Sequence, residues 1–218
     1  MRTAFLSLLT ILCLVLAVAP ATAQYTLYSN GPYNGTTEAW PINFGFTVSD
    51  SYVLLGGNYV TGMNFVYWDV SNSDTLTSVG VAFTRDPNPT SGFTPYGATN
   101  TALNGGRTNQ YGYYLFEATL TGIPGQGPVY LGYVTLGNAC TVSGCSTPIY
   151  WDENSGIDCD WYGCPSTAYE NEVGSIPSES FTLTGIGNIG LVPEPSSILL
   201  FGSGILGLAG VLRRKVNI

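Results

Sequence analysis

The stretch "NYVTGMNFVYWDV", Asn58 to Val70, decides the fold. Val60, Gly62, Asn64, Val66 and Trp68 alternate with Thr61, Met63, Phe65, Tyr67 and Asp69. A period of two in β-branched and aromatic residues marks a strand rather than a helix. The same period continues on either side. "TLTSVGVAFT" (75–84) sets Leu76, Ser78, Gly80 and Ala82 against Thr75, Thr77, Val79, Val81 and Phe83. "AWPINFGFTV" (39–48) places Trp40, Ile42, Phe44, Phe46 and Val48 on one face of a strand. "NQYGYYLFEATL" (109–120) and "GPVYLGYVTLG" (127–137) flank the Gly/Pro-rich "TGIPGQGP", which suits a hairpin or an arch. "SESFTLTG" (178–185) reads as the final strand, and "TRDPNPTSGFTPYGATNTALNGG" (84–106) as a long surface loop with at most one short strand. No stretch of the body has a helical face. Many short strands with Gly/Pro punctuation predict an all-β, antiparallel β-sandwich, jelly-roll-like as first choice and a Greek-key variant as second.

The two ends read differently. Arg2 precedes an apolar run from Ala4 to Val18, and Pro20 leads to Ala21-Thr22-Ala23, a small-residue cleavage box before Gln24. Residues 1–23 therefore read as a signal peptide, to be handled by the Sec translocon and signal peptidase. The extracytoplasmic domain spans 24–186 and a linker 187–195. From Ser196 to Leu212 the chain is uncharged and mostly apolar. That run (196–212) is at the short end of a single transmembrane helix. Arg213, Arg214 and Lys215 open a basic tail (213–218), which the positive-inside rule holds in the cytoplasm. Gly202, Gly204 and Gly207 spell a G-x-G-x-x-G, but no βαβ unit surrounds them, so nucleotide binding is rejected.

Val192-Pro193-Glu194-Pro195, the apolar run and the basic cluster together resemble the PEP-CTERM sorting signal of exopolysaccharide-producing Gram-negative bacteria. The resemblance covers only the end of the chain. It implies processing by exosortase, cleavage near the triplet, an inner-membrane-anchored precursor, and a final place at the cell surface or in the extracellular matrix. The segments around Tyr150-Trp151-Asp152, Asn154-Ser155-Gly156 and Ser178-Glu179-Ser180-Phe181 resemble endings of secreted proteins that carry the same signal. That second likeness implies a fold and no activity.

Charge narrows the function. The chain has 6 basic and 14 acidic residues and no histidine. Arg85 and Arg107 are the only cations between the signal peptide and the basic tail. So acidic a body disfavours nucleic acid. Without histidine, Ser-His-Asp and Cys-His machinery is impossible. A carboxylate hydrolase needs two acids about 5–10 Å apart. Glu117 with Asp152 or Glu153 is the candidate pair, and nothing in the sequence brings them together. Cys140, Cys145, Cys159 and Cys164 form two C-x4-C pairs, read as disulfides of an exported protein with three pairings open. "DENSGIDCD" offers Asp152, Asn154, Asp158 and Asp160 as candidate calcium donors, although Ile157 stands where an EF-hand needs glycine. No other cofactor is expected. Trp151, Trp161 and Tyr162, with Trp68, are candidate glycan-stacking rings. The sequence thus points to a non-enzymatic surface protein associated with extracellular polysaccharide or biofilm matrix. The alternatives are a carbohydrate-binding module and a carboxylate-dependent glycoside hydrolase.

Overall fold

The computed structural model describes residues 25–36, 38–54, 57–126, 131–154 and 166–186. The chain divides into Met1–Gly187 and Asn188–Ile218, and all described residues belong to the first unit. They form β1 (Tyr25–Ser29), β2 (Ala39–Pro41), β3 (Thr47–Val53), β4 (Tyr59–Asp69), β5 (Leu76–Thr84) and β6 (Thr94–Ala102). After a 3-10 turn at Asn104–Gly106 come β7 (Tyr114–Gln126), β8 (Leu131–Thr141), β9 (Ile149–Asp152), β10 (Ala168–Glu170), β11 (Gly174–Ile176) and β12 (Phe181–Ile186). No α-helix occurs among the described residues, and no helix there is long and apolar enough to cross a membrane. The expected signal peptide, the linker, the 196–212 span and the basic tail lie outside them.

The strands make one curled antiparallel sheet in the order β1-β12-β4-β7-β6-β5-β8-β3-β10-β11, with β9 joining β4 to β2. The stretch that decided the fold, β4, is central. Its register sets Met63 opposite Leu183 and Leu120, and Phe65 opposite Phe181 and Ala118. Met63, Phe65 and Tyr67 are fully buried, as alternation requires of a core-facing set. Beyond Phe65, the edge of β4 passes from β12 to β9, which pairs Tyr67 with Trp151 and Asp69 with Ile149. The curl then brings β1 against β3. The Tyr28 ring lies 6.4 Å from Tyr52 and 5.4 Å from Phe181.

Two local expectations change and a third is narrowed. Residues 84–106 contain not a loop with one short strand but β6, which turns the sheet. Its Thr94–Gly97 half pairs with β5 and its Ala98–Ala102 half with β7. β6 exposes Thr94, Gly97, Thr99 and Thr101 and half-buries Tyr96, Ala98 and Asn100, a row too weakly apolar to announce a strand, and the ladder hydrogen bonds to its two neighbours order it. "AWPINFGFTV" is not one strand. The chain turns at Asn43–Gly45, where Phe46 N–H donates to the Asn43 carbonyl at 3.1 Å and Phe44 adopts φ 59°. Ile42 and Val48 still reach the core, but Phe44 is 58% exposed. Last, of the hairpin or arch expected for "TGIPGQGP" the hairpin is excluded, because β7 and β8 pair with different neighbours, and residues 121–126 extend β7. Pro124 is accommodated in β7 because the register shifts opposite Val60 and Gly62.

Candidate functional site

One end of the sheet gathers carboxyl groups from three distant segments. Asp50 comes from β3, Asp152 and Glu153 from the end of β9, and Glu179 from the segment before β12. Asn30, just after β1, joins them. Asp50 lies between Val48 and Tyr52 on the inward row of β3, and all three are buried. Its Oδ2 accepts from Asn30 Nδ2 at 2.9 Å, from the Ser178 hydroxyl at 2.9 Å and from Glu179 N–H at 2.6 Å. Asn30 Nδ2 also reaches the Glu179 carbonyl at 2.7 Å, and its backbone N–H donates to the Phe181 carbonyl at 2.9 Å. Asn154 closes the ring by donating from Nδ2 to the Asn30 carbonyl at 2.8 Å and to Ser178 Oγ at 3.0 Å.

Asp152 has a different task. Its carboxylate accepts the backbone N–H of Asn34 at 2.8 Å and of Gly35 at 3.0 Å, and the indole N–H of Trp68. It therefore pins the 33–36 turn to the sheet. Gly35 has φ +72°, and a Cβ there would stand 2.7 Å from Leu115 Cδ2, so a side chain cannot replace it without a shift. Glu153 accepts the indole N–H of Trp40 at 3.3 Å and bridges in backbone register to Glu179. The Glu179 side chain is fully buried, and neither of its oxygens has a hydrogen-bond partner.

This is costly chemistry for ionised acids. Arg85 and Arg107, the cations of the described residues, are exposed and do not act on these carboxyls. Burial pushes Asp50 up to about 7 against the hydroxyl and amide donors that hold it down. Burial likewise lifts Asp152 to about 7, opposed by Gly35, Trp68 and Asn34, with the Glu153 charge adding to the rise. Burial raises Glu153 as well. Glu179 is raised well above the usual carboxyl range, first by burial, then by Asp50, Glu153 and Asp152. With no cation of the described residues beside them, burial favours the protonated form of these acids. No group of three or more His, Cys, Asp or Glu side chains among the described residues is arranged to hold a metal ion.

The sequence-predicted residues scatter. Trp151 is fully buried, donates to the Ser180 carbonyl at 2.9 Å, and packs edge-on to Phe65 and Phe181. It is a core residue, and its reading as a glycan contact is corrected. It faces inward because alternation along β9 places it on the same buried row as Ile149. Trp161 and Tyr162 lie outside the described residues. So do Asp158 and Asp160 of the calcium set, whose other members, Asp152 and Asn154, spend their side chains on the contacts above. Cys140 and Cys145 form a disulfide closing the loop after β8, whereas Cys159 and Cys164 lie outside the described residues. Asp74 anchors that loop by accepting Ser143 N–H at 2.7 Å and the Thr147 hydroxyl at 2.9 Å. Glu117 lines a cavity of about 240 Å³ with Ser29, Tyr33, Asn64 and Thr182. Neither Asp152 nor Glu153 lines it.

An aromatic layer covers the far face of β4. The Trp68 ring is buried beneath Tyr111 and Tyr113, with centroids at 5.8 and 6.0 Å. Tyr113 meets Tyr150 edge-on at 5.4 Å. Sequence reasoning singled out Trp68, which is too buried to stack on a sugar, but missed Tyr111, Tyr113 and Tyr150 around it, and it missed Asp50, Glu179 and Asn30. For Asp50 a signal existed. The alternation Val48-Asp50-Tyr52 places an acid on an apolar row.

The family model for the PEP-CTERM protein-sorting motif matches residues 191–215. No curated protein matches the chain.

Proposed function

Because the chain carries the PEP-CTERM protein-sorting motif, the recognition signal for exosortase, we propose that it is a non-enzymatic matrix protein of a Gram-negative envelope. The motif implies an exported, membrane-transiting chain processed for the cell surface. In this reading the Sec translocon moves the chain, signal peptidase cuts before Gln24, and the run 196–212 halts in the inner membrane. Arg213, Arg214 and Lys215 hold the tail inside. Exosortase then cuts near Pro193-Glu194-Pro195, and the body joins extracellular polysaccharide or biofilm matrix. We read its curled sheet as a jelly-roll-like sandwich. The single observation that carries the proposal is the sorting motif at the C-terminal end. The lack of histidine and the internal use of Asp50, Asp152 and Glu179 support a non-catalytic role.

The test is the intact mass of the protein recovered from the native host's envelope and medium. The expected mass begins at Gln24 and ends near Pro195, short of hydrogens for its disulfides. A mass that retains Ser196 to Ile218 in every fraction would refute exosortase processing and leave a plain membrane anchor.

A further inference from the structure

Tyr111 is more than half exposed, at 56%, yet its position is fixed from below and from the side. From below, its ring stacks on Trp68 at 5.8 Å with 23° between the planes. Trp68 is itself immobilised, since it is 4% exposed and its indole N–H is bound to Asp152. From the side, a side-chain turn holds the backbone. Asn109 Oδ1 accepts the N–H of Tyr111 at 3.0 Å and of Tyr113 at 3.1 Å. Asn109 N–H donates to the Tyr113 carbonyl at 2.8 Å, and Gly112, at φ +84°, donates to the Asn109 carbonyl at 3.0 Å. Gln110 ties the turn to the Thr36 carbonyl. The chain thus keeps a large aromatic ring in water and restrains its backbone.

We propose that Tyr111, seated on Trp68 and flanked by Tyr113 and Tyr150, is a stacking platform for the C–H face of a pyranose in an uncharged polysaccharide. An aromatic face carries negative quadrupole charge and attracts the weakly positive C–H groups of a sugar ring. Because the turn and the stack already order the ring, binding costs little further entropy. Charge selects the ligand. Among the described residues the cations are Arg85 and Arg107 alone, and although Arg107 opens this turn, the excess of carboxyl groups over the body disfavours an acidic polysaccharide. This places the glycan contact on the 107–113 turn and β9 rather than on Trp151. The inference rests on the matrix reading above and names the surface that serves it.

The experiment is native electrophoresis of the exported, processed protein through gels containing hydroxyethyl cellulose as the neutral probe. Parallel gels contain the host's deproteinised extracellular polysaccharide. Retardation is expected in both. Tyr111→Ala should weaken it about tenfold, the scale of one aromatic contact, and Tyr111→Trp should retain it. Retardation should also persist at high salt, because stacking is not screened. Circular dichroism verifies that the alanine variant is folded, and Tyr113→Ala supplies a second probe of the same patch. Equal retardation of wild type and both alanine variants would overturn the platform and leave matrix association standing. No retardation of the wild type in either gel would overturn both.

Discussion

Replacing Asp50 with asparagine should remove a defined part of the pH dependence of this protein's stability. In the unfolded chain an aspartate titrates near 3.9. In the fold, burial lifts Asp50 to about 7. Each unit of difference corresponds to about 1.4 kcal/mol, so ionising Asp50 inside the fold costs on the order of 4 kcal/mol. A carboxyl raised in this way keeps its proton in the fold and loses it on unfolding. Its contribution is whole below about pH 4 and is lost as the pH rises through about 7. Four kcal/mol is a large part of the roughly 5–15 kcal/mol available to a domain. Asparagine retains an acceptor for Asn30, Ser178 and Glu179 N–H, so the variant should fold. It also removes one of the charges that raise Glu179. The assay is urea unfolding of the processed protein from pH 4 to 8, with chelator present so that no divalent cation substitutes for the proton. Wild-type stability should fall across this range. Asp50→Asn should lower the slope between pH 4 and 7 by about 1.4 kcal/mol per pH unit. A wild-type profile that is flat or rises with pH, or a variant with the wild-type slope, would refute the reasoning.

Two further perturbations test the packing. Gly185 lies at a register shift of β12, and a Cβ there would stand 2.0 Å from the Tyr59 carbonyl oxygen and 2.7 Å from Leu27 Cδ1. Gly185→Ala should therefore cost about 3 kcal/mol, seen as a lower urea midpoint, and an unchanged midpoint would mean that the strand yields easily. Replacing Cys140 and Cys145 together with serine should cost only about 2 kcal/mol, since the closed loop is short and Asp74 still ties Ser143 and Thr147. A loss of folding on that change would show the disulfide to be essential.

Much of the sheet was legible because strands carry their own signal. In β4 and β5 the alternation is local, and both appear where the period of two placed them. β12 appears as the final strand for the same reason. β6 was not legible. Its Thr and Gly residues face water, its half-buried Tyr96, Ala98 and Asn100 make a weak apolar row, and pairing with β5 and β7 orders it. Phe44 misled because hydrophobic spacing cannot report a left-handed turn residue. Trp151 misled because a ring next to acids and cysteines reads as surface. The neighbours that bury it, Phe65 and Phe181, lie far off in sequence.

The amino-acid sequence by itself determined the address and the class of the protein. A sorting motif is read as a linear string, and a period of two is a property of consecutive residues, so neither needs a fold to be recognised. Only the tertiary structure decided what the acids and aromatics do. Asn30 meets Ser178 and Glu179 across 148 and 149 positions, and Trp68 meets Asp152 across 84. Such meetings depend on how the sheet curls, which no local pattern records. The curl withdraws Asp50, Asp152 and Glu179 from water, where protonation becomes the cheaper state. It also seats Trp68 beneath Tyr111, which turns an ordinary loop tyrosine into a fixed, exposed ring.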